Sequence, residues 1–513
     1  MRKINIFITL IFAALYCSSQ VNEQDSLALV ALYNSTDGPN WTCGCNYNWL
    51  NSPVEQWQGI TVENGRVVKI IMEGPMPCPN CGLNGNIPSE IGNLTALQVM
   101  YLSYNDNLSG SIPPEIGQLD SLLDLEISNC NLNGNIPPEI ENMSSLENLD
   151  ISNNQLTGNI PPEIEQNQDL TKIWLGGNEL TGTIPSEIGS LLELKDIRLT
   201  SNKLTGSIPI EIGNLTNLEG LSLKSNYLIG EIPISIGNLV NLRSLSLSNN
   251  QLTGMIPVEI GNLSAIDSKL YLDNNNFYGV IPDTILSISN LRWIQLNNNH
   301  FNYIPDFSSL TELEKLKTEN NQLQFKCLEP NMPLDTIEEF TYSPQDSIND
   351  AMDTTVSIND TIQLTASVSG TANQYQWYHN QNPISLATDS ILSINEIQAE
   401  DEGLYTCEGT NSLVPDLTLW RRHIHLQVDS SNAINNNVKP FVNAYMKNKT
   451  LIIENTDADY QLTVFTTEGR LLSQHHLHKG KTYIIPCNIY PKGMLILRFS
   501  NKNQLFTKKI VNH

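Results

Sequence analysis

The chain has 513 residues, 40% of them hydrophobic, and a formal net charge of −26. That length admits several domains and a large buried core. The charge is uneven, +6 over residues 441–513, where ten Lys and Arg stand against four Asp and Glu, and −32 over the rest; such acidity argues against nucleic acid as a partner, because phosphate binding requires a basic surface.

Residues 1–20 place Arg2 and Lys3 before an apolar run from Ile4 to Tyr16 and the small residues Ser18 and Ser19. That order is expected of a cleaved signal peptide, with a mature start near Val21; acylation at Cys17 is the alternative, disfavoured by the bulky Tyr16 before it. No later apolar run approaches the roughly 20 residues that span a bilayer, so no transmembrane segment is expected. Among the remaining cysteines, Cys43-x-Cys45 and Cys78-x-x-Cys81 have a spacing open to zinc, but an exported chain favours disulfides. A bridge inside Cys43-Gly44-Cys45 would be strained, so bridges are expected from Cys43 and Cys45 to Cys78 and Cys81.

From Leu83 to Pro282 the phrase Leu-x-Gly-x-Ile-Pro recurs nine times at intervals of 24 or 25 residues, once with Phe277 for Leu. A fixed period of this length predicts a solenoid, over residues 83–330. One unit, Leu146, Leu149, Ile151, Asn154, Leu156, Gly158, Ile160 and Pro161, gives the frame L-x-x-L-x-I-x-x-N-x-L-x-G-x-I-P. Leu149 and Ile151 point to one face of a short strand and Asp150 to the other. Asn154 and its equivalents Asn178, Asn202, Asn226, Asn250, Asn275, Asn299 and Asn321 recur where the strand turns away, placed to satisfy backbone groups of neighbouring coils; Cys130 stands in the same column. Gly158 predicts a tight turn, and Ile160-Pro161 an extended, non-helical return limb. Ten strands at roughly 4.8 Å make a sheet about 45 to 50 Å wide, a platform for a macromolecule.

These residues resemble the leucine-rich repeat, in the 24-residue form of plant receptor ectodomains, and the resemblance implies a binding module. Residues 21–82 resemble the N-terminal cap of exported repeat proteins through Asn40-Trp41, Asn48-Trp49-Leu50 and Trp57-Gln58-Gly59-Ile60. Trp41, Trp49 and Trp57 are expected to cover the apolar end of the first coil, with carbohydrate stacking as the alternative. On the concave strand face the candidate partner-binding residues are Tyr101, Glu126, Asp150, Lys172, Trp174, Arg198, Tyr271 and Trp293. Aromatics facing solvent have no core to explain them, and aromatics with Arg dominate binding hot spots; packing of Trp174 and Tyr271 on adjacent strands is the alternative.

Residues 331–348 read as a linker. Over 349–428 short alternating runs predict a sandwich, and Trp377 together with Asp401-x-Gly403-x-Tyr405-x-Cys407 resembles the strand C tryptophan and tyrosine corner of immunoglobulin-like domains. Ala366 stands where that family has its other cysteine, so Cys407 is expected to be a buried free thiol. After a second linker, 429–440, residues 441–513 suggest strands at Thr450–Ile453, Tyr460–Thr466 and Gly493–Phe499. Thr467-Glu468-Gly469-Arg470-Leu471-Leu472, Tyr490-Pro491-Lys492-Gly493 and Lys508-Lys509-Ile510-Val511 resemble the C-terminal sorting domain of the type IX secretion system, with Val442-Asn443-Ala444 in place of the usual Pro-Asn-Pro. That resemblance implies engagement of the secretion machinery, delivery to the outer surface or surroundings of a Gram-negative bacterium, and loss of the tail near residues 430–440.

The chain contains no Gly-x-Ser-x-Gly elbow, His-Glu-x-x-His helix or P-loop, and no cofactor or metal is expected. His476 and His478 in His475-His476-Leu477-His478 would share a face if extended, but a solvated loop is the expectation. The fold class is mainly β: a leucine-rich repeat solenoid, an immunoglobulin-like β-sandwich and a small C-terminal β-sandwich domain. The expected function is non-enzymatic recognition of a protein partner through the concave face, at the cell surface or after secretion. The alternatives are a glycan-binding module using the cap tryptophans with Trp174 and Trp293, or a surface scaffold without a specific ligand.

Overall fold

The computed structural model describes residues 21–73, 81–334, 337–429 and 442–512, the last without 448–449, 456–457, 468–469, 488–489, 491–492 and 502–504. The expected signal peptide, Cys78 and the expected tail-removal segment 430–440 lie outside the described residues. The chain is mainly β: a leucine-rich repeat solenoid is followed by an immunoglobulin-like domain and a C-terminal β domain.

The solenoid opens on the helix Glu23–Ser35, whose first turn is capped by the Asn22 side chain accepting from the Gln24 amide. A thirteen-stranded sheet follows. It consists of an antiparallel cap pair, Ile60–Glu63 with Arg66–Ile71, then ten parallel repeat strands of three residues, and finally Glu339–Thr341. The repeat strands pair without slippage: Leu149 sits opposite Leu125 on one side and Ile173 on the other. All three are at most 2% exposed. Burying each such side chain is worth about 1.5–3 kcal/mol, a gain no coil can realise without its neighbours.

The asparagine column is a hydrogen-bond ladder. Asn226 Oδ1 accepts from the Leu204 amide of the previous coil at 3.1 Å, while its Nδ2 donates to the carbonyls of Leu199 at 2.9 Å and Leu223 at 3.1 Å. Asn154, Asn178, Asn202, Asn250, Asn275 and Asn299 repeat the pattern. The ladder starts one coil earlier than the sequence suggested, at Asn105, which accepts from Leu83. Cys130 takes the rung between, its thiol directed at the carbonyls of Leu102 and Ser128. A thiol offers no carboxamide oxygen, and the Leu108 amide turns to the Asn105 carbonyl instead, at 2.9 Å.

Gly158 has φ +75°, as a tight turn requires, and a Cβ there would lie 2.6 Å from Asn135 Oδ1. The return limb differs from expectation. Pro161 is extended, but Pro162–Gln166 then forms a 3₁₀ turn that buries Ile164. Proline is compatible with a helical first position, because the amide it lacks would be unpaired there anyway.

The cap is an aromatic core. Tyr33, Trp41, Trp49 and Trp57 pack with ring centroids 4.7–5.7 Å apart, the tryptophans are at most 6% exposed, and their indoles donate to the carbonyls of Thr36, Gln58 and Ser52. Cys45 is bridged to Cys81, and Cys43 is also in a disulfide. Asp25, fully buried, accepts from Arg66 and from the Val67 amide, holding the helix to the sheet.

The segment 331–348 is not the loose linker expected. Glu339–Thr341 adds the last strand of the large sheet, and Tyr342 and Ile348 join a core that includes Val414, Leu417 and Leu419 of the immunoglobulin-like domain. The open end of the last coil needs cover, and this domain supplies it. Glu329 fastens the contact, accepting from the Thr371 amide at 2.6 Å and from Asn411 Nδ2 at 2.8 Å. Within that domain Trp377 is fully buried, and the Tyr405 hydroxyl donates to the Asp401 carbonyl at 2.8 Å, making the tyrosine corner. Cys407 and Ala366 are each 1% exposed and Cys407 is a free thiol, as the missing cysteine implied.

The C-terminal unit consists of two antiparallel sheets: Val442–Lys447, Thr450–Asn455 and Thr482–Pro486 in one, and Leu471–Leu477, Tyr460–Thr466, Gly493–Ser500 and Leu505–Asn512 in the other. Leu451, Ile453, Leu462, Val464, Leu497 and Phe499 fill their common core. His475 and His476, expected in a loop, lie in the strand Leu471–Leu477; Leu477 is fully buried and anchors it.

Candidate functional site

Because successive side chains of a strand alternate faces, a three-residue repeat strand sends its middle residue inward and the two flanking ones to the concave surface. In register across the centre of the sheet, the first positions are Lys172, Asp196, Gly220, Ser244, Lys269 and Trp293. The third positions are Trp174, Arg198, Ser222, Ser246, Tyr271 and Gln295. Two consecutive strands thus present only Gly and Ser, between neighbours that carry Asp196 and Arg198 on one side and Lys269 and Tyr271 on the other. The result is a depression of about 590 Å³, floored by Gly220, Ser222, Ser244 and Ser246 and walled by Arg198 and Tyr271. At roughly 4.8 Å per strand, the three steps between its walls span about 14–15 Å.

Both walls are pre-arranged by charge. On one side Lys172 Nζ lies 3.4 Å and Arg198 Cζ 3.9 Å from the Trp174 ring centroid, and the indole donates to Asp196 Oδ2 at 3.0 Å. Asp196 in turn pairs with Arg198 at 2.8 Å. On the other, Lys269 Nζ lies 5.3 Å from the Trp293 ring and 5.9 Å from that of Tyr271, and the Trp293 indole donates to Glu314 at 2.8 Å. Cation–π contacts of this kind are each worth about 0.5–2 kcal/mol. Burial, with Asp273 adding, pushes the Tyr271 hydroxyl above its ordinary pKa, so it stays a hydrogen-bond donor at neutral pH.

Towards the N-terminal end the face turns acidic. Lys172 bridges Glu126 at 3.4 Å and Asp150 at 3.9 Å. Burial and the charges of Glu126 and Asp150 raise the Glu73 carboxyl, against a hydrogen bond from Ser103. Burial, followed by Asp124, Glu126 and Glu73, raises the Tyr101 hydroxyl.

All eight residues singled out from the sequence therefore stand on the concave sheet, but they do not form one cluster. Arg198 and Tyr271 wall the central depression. Trp174 and Asp150 border a smaller one of about 370 Å³ with Arg198 and Tyr104. Trp293 supports Lys269 from behind, and Tyr101 and Glu126 lie towards the cap. Asp150 is less available than expected: it is 6% exposed, taken up by Ser152 Oγ at 2.6 Å and by Lys172. Trp174 and Tyr271 do pack on adjacent strands, yet each remains half-buried. Lys195, Lys224 and Arg243 also line the central depression and were missed, since they flank the strands. The available signal was the coincidence of short residues in both columns of two consecutive repeats.

The burial of Trp41, Trp49 and Trp57 leaves these three rings unavailable as stacking platforms for a sugar. Among the described residues no group of three or more His, Cys, Asp or Glu is arranged to hold a metal ion; His476 and His478 stack with ring centroids 6.2 Å apart. No described helix is long and apolar enough to cross a membrane.

Two protein families match the chain. Leucine Rich Repeat matches residues 121–143, 145–167, 169–191, 193–215, 217–239 and 241–263, and Immunoglobulin domain matches 344–411. Comparison with curated proteins gave no match. Among solved structures, the plant peptide hormone receptor RGFR1 in complex with RGF2 is similar at 32% identity and a TM-score of 0.50, over 54% of this chain and 43% of that one. The Arabidopsis receptor kinase HAESA, in complex with the peptide hormone IDA and the co-receptor SERK1, is similar at 27% identity and a TM-score of 0.55, over 65% and 55%. The chain thus spans about half the length of these receptors.

Proposed function

We propose that this protein is a non-enzymatic recognition protein that binds a protein or peptide partner through the concave face of its solenoid. The observation that carries the reading is the central depression: a floor of Gly and Ser between walls formed by the exposed Arg198 and the half-buried Tyr271, which the half-buried Trp174 and Trp293 back through cation–π contacts to Arg198 and Lys269. Such side chains lose little entropy on binding and are the types that dominate hot spots. The similarity to receptor ectodomains solved with peptide hormones supports it. Lys172 and Arg198 already lie over the Trp174 ring, where a sugar would have to stack, which favours a peptide over a sugar. The disulfide-fastened cap and the type IX-like tail support action outside the cytoplasm, at the surface or in the surroundings of a Gram-negative bacterium. We assign residues 1–20 to export, 21–82 to the cap, 83–330 to the repeats, 349–428 to the immunoglobulin-like domain and 441–513 to sorting.

Selection of a displayed peptide library on the full chain tests the reading. Selected peptides are expected to lose binding to Arg198→Ala and Tyr271→Ala variants and to keep it with Tyr278→Ala, in the strand Asn276–Val280 of a separate three-stranded sheet. Peptides indifferent to the concave variants, or a glycan array bound in place of peptides, would overturn it.

A further inference from the structure

We propose that the ligand segment seated in the central depression is acidic, a short run of Asp and Glu in extended conformation; the inference rests on the concave-face reading and deepens it. The depression is lined by five cations, Lys195, Arg198, Lys224, Arg243 and Lys269, against two carboxylates, Asp196 and Glu219. This inverts the local charge within a region, residues 1–440, whose net charge is −32. Arg198 is paired with Asp196 and Arg243 with Asp267. Lys195, Lys224 and Lys269 make no ion pair among the described residues, although elsewhere on the same face Lys172, Lys315 and Lys317 each have a carboxylate partner within 4 Å.

Three ammonium groups around a floor without acidic side chains leave a positive field that a ligand must complete. Such a field steers anionic partners towards one place on an otherwise repelling surface. Lys195 directly precedes the strand Asp196–Arg198, Lys224 follows Gly220–Ser222 by two residues and Lys269 opens Lys269–Tyr271, so across the sheet they are one and two steps apart, about 5 and 10 Å, and they stand at different heights along the strands. An extended peptide places alternate side chains about 6.6 Å apart, so successive carboxylates can meet neighbouring lysines while the backbone runs over the serine hydroxyls. Four or five residues cover the roughly 14–15 Å between the walls.

The test uses the purified full chain with a fluorescent poly-glutamate peptide of about ten residues, poly-glutamine of equal length, and an alginate oligomer as an anionic polysaccharide. Poly-glutamate is expected to bind, and to weaken by about tenfold or more when salt is raised from low to physiological strength. It should weaken similarly in the double variant Lys224→Gln/Lys269→Gln, whose fold is checked by circular dichroism, and bind Lys508→Gln/Lys509→Gln, in the basic tail, as it binds the wild type. Failure of poly-glutamate to bind, binding unchanged in Lys224→Gln/Lys269→Gln, binding lost with the tail lysines, or alginate held more tightly through the same lysines would each overturn the proposal. If library-selected peptides depend on Arg198 and Tyr271 but carry no acidic run, the acidic-ligand inference falls while the concave-face reading stands.

Discussion

Replacing Asn226 with alanine removes one rung of the ladder near the middle of the solenoid, and the structure sets what this costs. The Leu199 carbonyl keeps a second donor in Asn202, and the Leu223 carbonyl keeps one in Asn250. The Leu204 amide, buried, has Asn226 Oδ1 as its acceptor and would be orphaned. An unsatisfied buried amide costs about 1–3 kcal/mol, and the bonds lost from carbonyls that stay satisfied, those of Leu199, Leu223 and, at 3.4 Å, Lys224, add roughly 1–2 kcal/mol together. The expected destabilisation is therefore about 2–5 kcal/mol. Asn217→Ala is the control: that side chain is exposed and donates one bond, to the Leu192 carbonyl, so about 0.5 kcal/mol or less is expected. Urea unfolding followed by tryptophan fluorescence reports on the cap and the concave face. An Asn226→Ala midpoint matching that of Asn217→Ala would refute the reasoning, because nothing else distinguishes the two asparagines so sharply. Cys130 shows how a rung can be missing natively: there the Leu108 amide finds the Asn105 carbonyl.

Burial raises the Glu329 carboxyl, but the bonds it accepts from Thr371 and Asn411 outweigh this and hold it below its ordinary pKa. A depressed folded-state pKa stabilises above the unfolded value and loses that contribution as pH falls; Glu329→Gln should lower the Tm at pH 7, with the difference vanishing in calorimetric scans below about pH 4. Glu73 is raised, chiefly by burial and then by Glu126, so its ionised form costs stability; Glu73→Gln should raise the Tm at pH 8, and the gain should shrink as pH falls into the glutamate range, about 4. Burial pushes the Cys407 thiol up to about 12 and the half-buried Cys130 thiol up to about 11, so neither should be alkylated by iodoacetamide at pH 8 in the folded protein, as peptide mapping would reveal. Ser246→Trp should fill the depression, leaving the unfolding midpoint within about 1 kcal/mol of wild type while abolishing binding of any concave-face peptide.

The repeat frame made the solenoid legible because each coil needs the same inward residues: Leu149, Leu156 and Ile160 are buried for the reason their spacing announces. The tyrosine corner was equally plain, since Tyr405 and Asp401 are four residues apart and their bond is local. What escaped was non-local. Glu339–Thr341 joins the large sheet through pairing with Lys315–Lys317, and no periodicity survives there to signal it. The 3₁₀ turn after Pro161 repeats with the period and so was masked by it. At the candidate site the large side chains Trp174, Arg198, Tyr271 and Trp293 stood out in the sequence, whereas the depression is made by the small ones, Gly220, Ser222, Ser244 and Ser246, whose meaning comes from their register with neighbours about 24 residues away.

The most direct test of the central claim is hydroxyl-radical footprinting of the full chain with and without a library-selected peptide, read residue by residue by mass spectrometry. Protection is expected at Tyr271, Trp174 and Trp293, with the exposed Tyr227, Tyr278 and Tyr303, which lie outside the large sheet, unchanged. Protection confined to those last three tyrosines, or to Trp420 of the immunoglobulin-like domain, would contradict the claim.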